Sequence, residues 1–358
     1  MNDKEQVVFV TISMAGGGTE KVITTLANYW SSKGNSVSIF MIGGDEIAYE
    51  LSENIEIKQL SSATKGSALA RIARIRTLRK EFKIRRNATI IAMGTVASMF
   101  TAFALIGLGN RLILSERNDP NRLNHRPIKK YERIIRNILY LRGNRIVFQT
   151  DMARDAFPRS IKSRSVIIMN PISENLPAAT DYADREKIVM TAGRLTEQKN
   201  HRLLIDAFID FQKEHNDYIL KIFGSGDKEE ELIRYISDNK AESIIKLCGF
   251  SDKILDEMNR AQIYVSSSDW EGVSNSLMEA MAMGMTVIAT DCPMGGSKEL
   301  IRNEENGILV GVGRKPELIQ ALSSVTDMDL AKKYADNAKD VRNDYSVSTI
   351  VHEWEKLL

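Results

Sequence analysis

Apolar positions recur along this chain in two alternating rhythms. Short apolar or alternating runs at 7–13, 37–42, 55–60, 90–93, 111–114, 145–149 and 165–169 predict strands. Between them, apolar residues three and four apart predict helices over 21–33, 66–86 and 96–108, and a partly helical basic segment over 126–142. A further helix is expected to start near Thr150, capped by Thr150 or Asp151. The rhythm breaks at Asn170-Pro171-Ile172 and stays polar and irregular to about 184, the best linker in the chain. It then restarts with strands at 187–192, 218–223, 244–247, 263–266, 286–289 and 307–310. Helices are expected over 201–215, 228–239, 252–260, 277–283, 315–340 and 346–358. Strand alternating with helix predicts parallel sheets, and 358 residues predict two domains.

The uncharged stretch 87–110 is long enough to span a bilayer. Asn87, Thr89, Gly94, Thr95, Ser98 and Thr101 interrupt it, and strand, Gly94-Thr95 turn and buried helix describe it better. Met1–Gln6 carries Asp3, Lys4 and Glu5 in place of a basic region leading into an apolar run, so no signal peptide is expected. Cys248 and Cys292 are far apart, and the four histidines form no HxxxH-type pair. A disulfide framework or zinc site is therefore not expected. Charge is lopsided: residues 1–178 hold 27 Lys/Arg and 15 Asp/Glu, a net of +12, and the remainder holds 22 and 32, a net of −10. A basic half suits an anionic partner such as phospholipid or a diphosphate-linked substrate; mutual attraction of the two halves is the plain alternative. The 66–86 helix concentrates this charge, with Leu69, Ile72, Ile75, Leu78 and Phe82 along one side and eight Arg/Lys around the rest. It is either a membrane-surface helix or a sheet-packing helix with a solvated basic face.

Candidate chemistry gathers where loops follow strands. Glu271 and Glu279 lie eight residues apart, one in a loop and one about a turn into a helix whose start is capped by Ser274, Asn275 or Ser276. The N–H groups of such a first turn suit a phosphate, and carboxylates on either side suit vicinal hydroxyls. Two solvated surface glutamates would be the plain alternative. Arg194 and Lys199 bracket another loop at a strand end, as phosphate-binding cations would. Gly16-Gly17-Gly18 separates the first strand from its helix and permits close backbone approach, without the GxGxxG spacing of a dinucleotide site. Ser115-Glu116-Arg117-Asn118-Asp119-Pro120 is a polar cluster at another strand end.

Taken together, G-G-G-T-E (16–20), S-E-R-N-D-P (115–120), N-P-I (170–172), A-G-R-L-T-E-Q-K-N (192–200), F-G-S-G-D (223–227), G-F (249–250), the E-x7-E stretch (271–280) and D-C-P-M-G-G-S-K-E (291–299) resemble family 4 retaining glycosyltransferases of the bacterial surface-polysaccharide type. The resemblance covers nearly the whole chain and implies an α/β fold of the GT-B kind: two facing Rossmann-like domains with a cleft between them. It implies an acceptor-binding domain over 1–172, a nucleotide-sugar domain over 185–342, a hinge near 171–184, and a C-terminal helix, 343–358, returning to the first domain.

The resemblance also implies roles. Arg194 and Lys199 hold the donor diphosphate in place of a metal, with help from backbone near Ser274, Asn275, Ser276 and Leu277. Glu279 binds the ribose, Glu271 the transferred sugar, Phe250 the base, and Gly16 and Gly17 close on the diphosphate. Relatives carry a His where this chain has Ser115-Glu116-Arg117. Glu116 or Arg117, with Asn118 beside them, is the expected stand-in, and His125 a remoter one. No cofactor or metal is expected, only a nucleotide-sugar donor, UDP-linked, and a hexose or N-acetylhexosamine as the transferred group. The implied acceptor is a polyprenyl-diphosphate-linked glycan of capsule, O-antigen or exopolysaccharide synthesis. That places the chain in the cytoplasm, peripheral on the inner membrane face through its basic first domain. The rivals are a sugar-nucleotide epimerase of the same fold and a nucleotide- or nucleic-acid-binding module. The epimerase matches less of the E-x7-E and G-R-L-T-E-Q-K-N pattern, and no aromatic–basic interleaving supports nucleic acid.

Overall fold

A computed structural model describes residues 5–60, 68–123, 126–173 and 176–358. The chain divides into two compact units, Met1–Pro171 with Val347–Leu358, and Ile172–Ser346. No helix among the described residues is long and apolar enough to cross a membrane.

The first unit runs β1 (Gln6–Thr11), α1 (Gly18–Ser32), β2 (Ser36–Met41), β3 (Glu56–Gln59), α2 (Ala68–Ile84), β4 (Thr89–Met93), α3 (Thr95–Ala104), β5 (Arg111–Ser115), a hairpin of β6 (Arg122–Leu123) and β7 (Arg126–Pro127), α4 (Lys130–Tyr140), β8 (Arg145–Phe148), α5 (Asp151–Asp155), α6 (Arg159–Lys162) and β9 (Ser165–Ile167). Its sheet has the order β3-β2-β1-β4-β5-β8-β9, with every pairing parallel. Order reverses beside β1, the doubly wound arrangement whose ligands sit at the carboxyl edge of the sheet. The central strands are buried on both faces, so they read as unbroken apolar runs such as Val7-Val8-Phe9-Val10. Phe9 stacks on Trp30 of α1 at 5.6 Å, which ties helix to sheet. The helix Val347–Glu355 belongs to this unit; Trp354 is fully buried, and Arg111 Nε donates to Leu357 O at 2.8 Å.

The second unit contains β10 (Glu186–Ala192), α7 (His201–Gln212), β11 (Ile219–Phe223), α8 (Glu229–Asp238), β12 (Ile245–Gly249), α9 (Ile254–Arg260), β13 (Ala261–Ser266), α10 (Asn275–Ala282), β14 (Thr286–Thr290) and, after a short helix at Gly296–Leu300, β15 (Ile308–Val310). Its order, β12-β11-β10-β13-β14-β15, repeats that of the first sheet, again with parallel pairing. Val189, Leu204, Phe208, Ile222, Val265 and Ile288 pack in one continuous core.

Several elements depart from the sequence reading. The segment after Ile172 is no free linker. Ile172 N donates to Tyr345 O, Thr180 N to Asn259 Oδ1, and Arg185 reaches the carbonyls of Met258 and Ala261 at 2.9 and 3.0 Å. These bonds count the stretch into the second unit, whose far boundary falls at Ser346 rather than 342. The 126–142 segment becomes a hairpin strand and a shorter helix, because Glu132 accepts from Lys129 N at 2.9 Å and starts the helix there. The 315–340 helix breaks into Lys315–Ser324 and Met328–Ala338, where Asp327 caps the second by accepting from Leu330 N. In α2 only Leu78 and Phe82 of the expected apolar face are buried, while Leu69 and Ile72 are exposed. His125 lies outside the described residues.

Candidate active site

In the second unit the sheet order reverses between β10 and β13, and the loops leaving these two strands meet. The loop after β10 is held to that after β11 by Gly193 N to Phe223 O and Leu195 N to Ser225 O, at 3.0 and 2.9 Å. Gly224, at φ +133°, permits this: a Cβ there would stand 1.9 Å from Gly193 O. The F-G-S-G-D glycines thus serve backbone-on-backbone packing. Gly296 does the same on the other flank, where a Cβ would meet Gly272 O at 1.8 Å and wedge the 291–296 loop off the loop after β13.

Within this frame Lys199 Nζ lies 2.6 Å from Glu271 Oε1, with both side chains about one-sixth exposed. Ser268 Oγ donates to the other Glu271 oxygen at 2.7 Å, and Ser267 Oγ holds Lys199 O at 2.9 Å. Gln198 Nε2 donates to Trp270 O and Asp269 N to Gln198 O, so the two loops are zipped along their length. Asn200 sits in the left-handed region at φ 42°, caps α7 by accepting from Leu203 N, and donates to Asp269 Oδ1 at 2.7 Å. Arg194 on the same loop is exposed, and among the described residues no ion pair engages it.

Ser274 is the N-cap of α10, its Oγ accepting from Leu277 N, and Ser276 Oγ donates to Ala192 O at 2.9 Å. The hydroxyl of buried Tyr264 lies 2.7 Å from Ser276 Oγ, and burial pushes its pKa above the usual phenol range. Asn275 opens the helix, and Glu279 is buried one turn on. The first turn of α10, with its outward N–H groups, thus stands at the switch point beside a lysine and two carboxylates. Phe250, after β12, is 78 % exposed. His201 follows Lys199 closely but is buried, and burial, then Lys199, lowers its pKa to about 4.

The first unit holds its own set of expected residues. Gly16 has φ +99°, and α1 begins at Gly18, three residues earlier than the periodicity indicates, so the glycine turn is itself the helix entry. Glu116 is no open polar contact. Tyr140 donates to one of its oxygens and Thr95 to the other, the latter at 2.8 Å. Burial raises its pKa. The partners of Glu116 come from α3 and α4, which no local pattern reveals. Arg117 is buried too; its Nη2 donates to Asn170 Oδ1, which also accepts from Gln149 Nε2 at 2.7 Å. Burial lowers the Arg117 guanidinium to about 9, so it is charged at neutral pH, and its Nη1 meets no protein acceptor among the described residues. Asn118 is exposed. No group of three or more His, Cys, Asp or Glu that could hold a metal ion occurs among the described residues.

Comparison with known families decides the identity of this arrangement. The model of "Glycosyl transferases group 1" matches residues 155–341, more than half of the chain, and that of "Glycosyltransferase Family 4" matches 16–176. The chain belongs to these glycosyltransferases. This glycosyltransferase is 28 % identical to the Campylobacter jejuni N-acetylgalactosamine-N,N'-diacetylbacillosaminyl-diphospho-undecaprenol 4-alpha-N-acetylgalactosaminyltransferase, over 91 % of this chain and 92 % of that one. It is 24 % identical to the amylovoran biosynthesis glycosyltransferase AmsD of Erwinia amylovora, over 96 % of both. Among solved structures, Anabaena HepE in complex with UDP and glucose superposes with a TM-score of 0.82 at 18 % identity, covering 98 % of each chain. The fold is that of the GT-B enzymes, two Rossmann-like units.

Proposed function

We propose that this glycosyltransferase moves a hexose or N-acetylhexosamine from a UDP-sugar to a polyprenyl-diphosphate-linked glycan in surface-polysaccharide synthesis, with retention of anomeric configuration. The observation that carries the donor half is the Lys199–Glu271 pair at 2.6 Å beside the N-terminus of α10, at the switch point of the second sheet. As the sugar–phosphate bond breaks, negative charge grows on the leaving diphosphate and positive charge on the sugar ring. Lys199, exposed Arg194 and the backbone N–H groups of the Ser274–Leu277 turn supply fixed positive charge for the former. Glu271, held by Lys199 and Ser268, faces the sugar hydroxyls. Its carboxylate keeps Lys199 extended before the donor arrives, and the three N–H bonds of the ammonium let it serve carboxylate and phosphate together. Glu279, one turn into α10, takes the ribose, and exposed Phe250 offers a ring for the base. The departing phosphate accepts the proton of the attacking acceptor hydroxyl on the same face, so no protein nucleophile enters.

The acceptor half rests on the named substrates of the C. jejuni relative and on the basic first 178 residues. An acceptor on a polyprenyl diphosphate places the enzyme at the inner face of the membrane. The test is UDP release from a panel of UDP-sugars, with and without lipid-linked glycan from bacterial membranes. Acceptor-dependent release from one UDP-sugar is expected. Release that ignores the acceptor, or interconversion of the sugar without transfer, would favour the epimerase reading.

A further inference from the structure

Helix α4 is built inside out. Tyr131, Ile134, Ile135, Ile138 and, just past its end, Leu141 recur at three- and four-residue spacing and are 44–61 % exposed. The side turned inward carries fully buried Arg136 and Tyr140. Arg136 lies over the Phe157 ring at 4.0 Å and donates to Pro120 O, Tyr140 stacks on Phe157 at 5.6 Å, and its hydroxyl holds Glu116. The inner face is thus fixed by polar and ring contacts, and among the described residues nothing covers the apolar stripe.

The rim of this stripe is cationic. Lys129, Lys130, Arg133 and Arg142 are exposed around it. The single acid of the helix, Glu132, is taken up by Arg126 at 2.6 Å and by Lys129 N. Arg142 also donates to Leu105 O at the end of α3, which sets exposed Phe103 and Ile106 beside the stripe. A contiguous apolar ridge inside a ring of exposed cations matches an anionic lipid surface, in which a helix lies in plane with its apolar side sunk ~5–10 Å. A protein partner's groove would ordinarily bring acids on both sides to set register; here the complementary charge is of one sign.

We infer that α4, rather than α2, is the element that seats this enzyme in an anionic bilayer. The inference rests on the membrane-bound acceptor of the proposed function. It adds that loop 115–120, carried on the inner face of α4 through Glu116 and Pro120, lies one helix thickness, ~10 Å, beneath the lipid surface, the level of a lipid diphosphate.

The experiment is co-sedimentation of the full chain with vesicles of phosphatidylcholine containing phosphatidylglycerol. Ile134→Ser/Ile138→Ser is expected to lower vesicle affinity at least about tenfold, and Ile134→Leu/Ile138→Leu to preserve it. Ile138→Trp gives an independent readout, since Trp30, Trp270 and Trp354 are all buried. Its fluorescence should shift blue on binding and be quenched by brominated lipid. Wild-type affinity in the Ser pair with no quenching at position 138 would overturn the inference. So would loss of binding on Arg71→Glu/Arg76→Glu alone, which would put the membrane on α2. Equally, a wild-type dimer dissociated by the Ser pair, with vesicle binding unchanged, would show that a second copy covers the ridge. UDP affinity, measured in the same samples, separates the two readings: it stays constant if only the α4 inference fails and is absent if the donor assignment fails.

Discussion

At the scale of residues, the proposed function divides the charge of the second unit into charge that reacts and charge that only holds. Lys199 and Glu271 form a pair on the sheet edge; Ser267 of the opposite loop holds the Lys199 carbonyl, and Ser268 of its own loop holds the Glu271 carboxylate. Lys199→Ala should lower kcat about 10²–10³-fold, as loss of a fixed charge opposite a leaving group does, with the melting temperature within a few degrees of wild type. Glu279→Ala should raise the donor KM by roughly ten- to a hundredfold, the loss of hydrogen bonds from a charged acceptor. Steady-state kinetics in UDP-sugar distinguishes them. His201 makes a separate, thermodynamic prediction. Burial holds it neutral with a pKa of about 4, against about 6.5 unfolded. Between those values the unfolded chain binds the extra proton, so stability falls as pH drops through that window, by about 3 kcal/mol in all. Melting temperatures of wild type and His201→Leu, compared from pH 7 to pH 4.5, should diverge, with the variant losing less.

At the scale of elements, close backbone packing sets the site. Gly296→Ala would put a methyl 1.8 Å from Gly272 O. It should destabilise the enzyme by about 2 kcal/mol or more and weaken UDP binding with it, because the displaced loop carries Glu271. Ser274→Ala removes the α10 cap and should lower stability by about 1 kcal/mol; chemical denaturation reads both. The strands and the α10 cap were legible because each depends on local pattern: Ser274 was one of three cap candidates, and the buried parallel strands are uninterrupted apolar runs. What lies beneath a helix was not legible. Periodicity finds an apolar face but not which way it turns, so it leaves open whether Leu69 and Ile72 of α2 face the sheet or the outside, and it does not reveal that the stripe of α4 is exposed. The partners of Glu116 are hidden for the same reason, since Tyr140 and Thr95 reach it from helices 24 and 21 residues away. The pairing of Lys199 with Glu271 spans 72 residues and emerges only when β10 and β13 become neighbours.

At the scale of the molecule, two units repeat one strand order and differ in charge. The second assembles a lysine, two glutamates and a helix N-terminus at its switch point; the first holds buried Arg117, bonded to Asn170, at the equivalent edge of its sheet. Motifs spread from Gly16 to Glu299 resemble one family because each marks a loop at a strand's carboxyl end, and that placement holds in both sheets. The central claim is that the donor diphosphate is bound at the switch point of the second unit. Calorimetric titration of UDP into wild type and Lys199→Ala tests it most directly. The account predicts saturable binding to wild type and at least about tenfold weaker binding to the variant, the share of one charge-assisted contact. Equal affinity in the two proteins, or no binding to either, would contradict it.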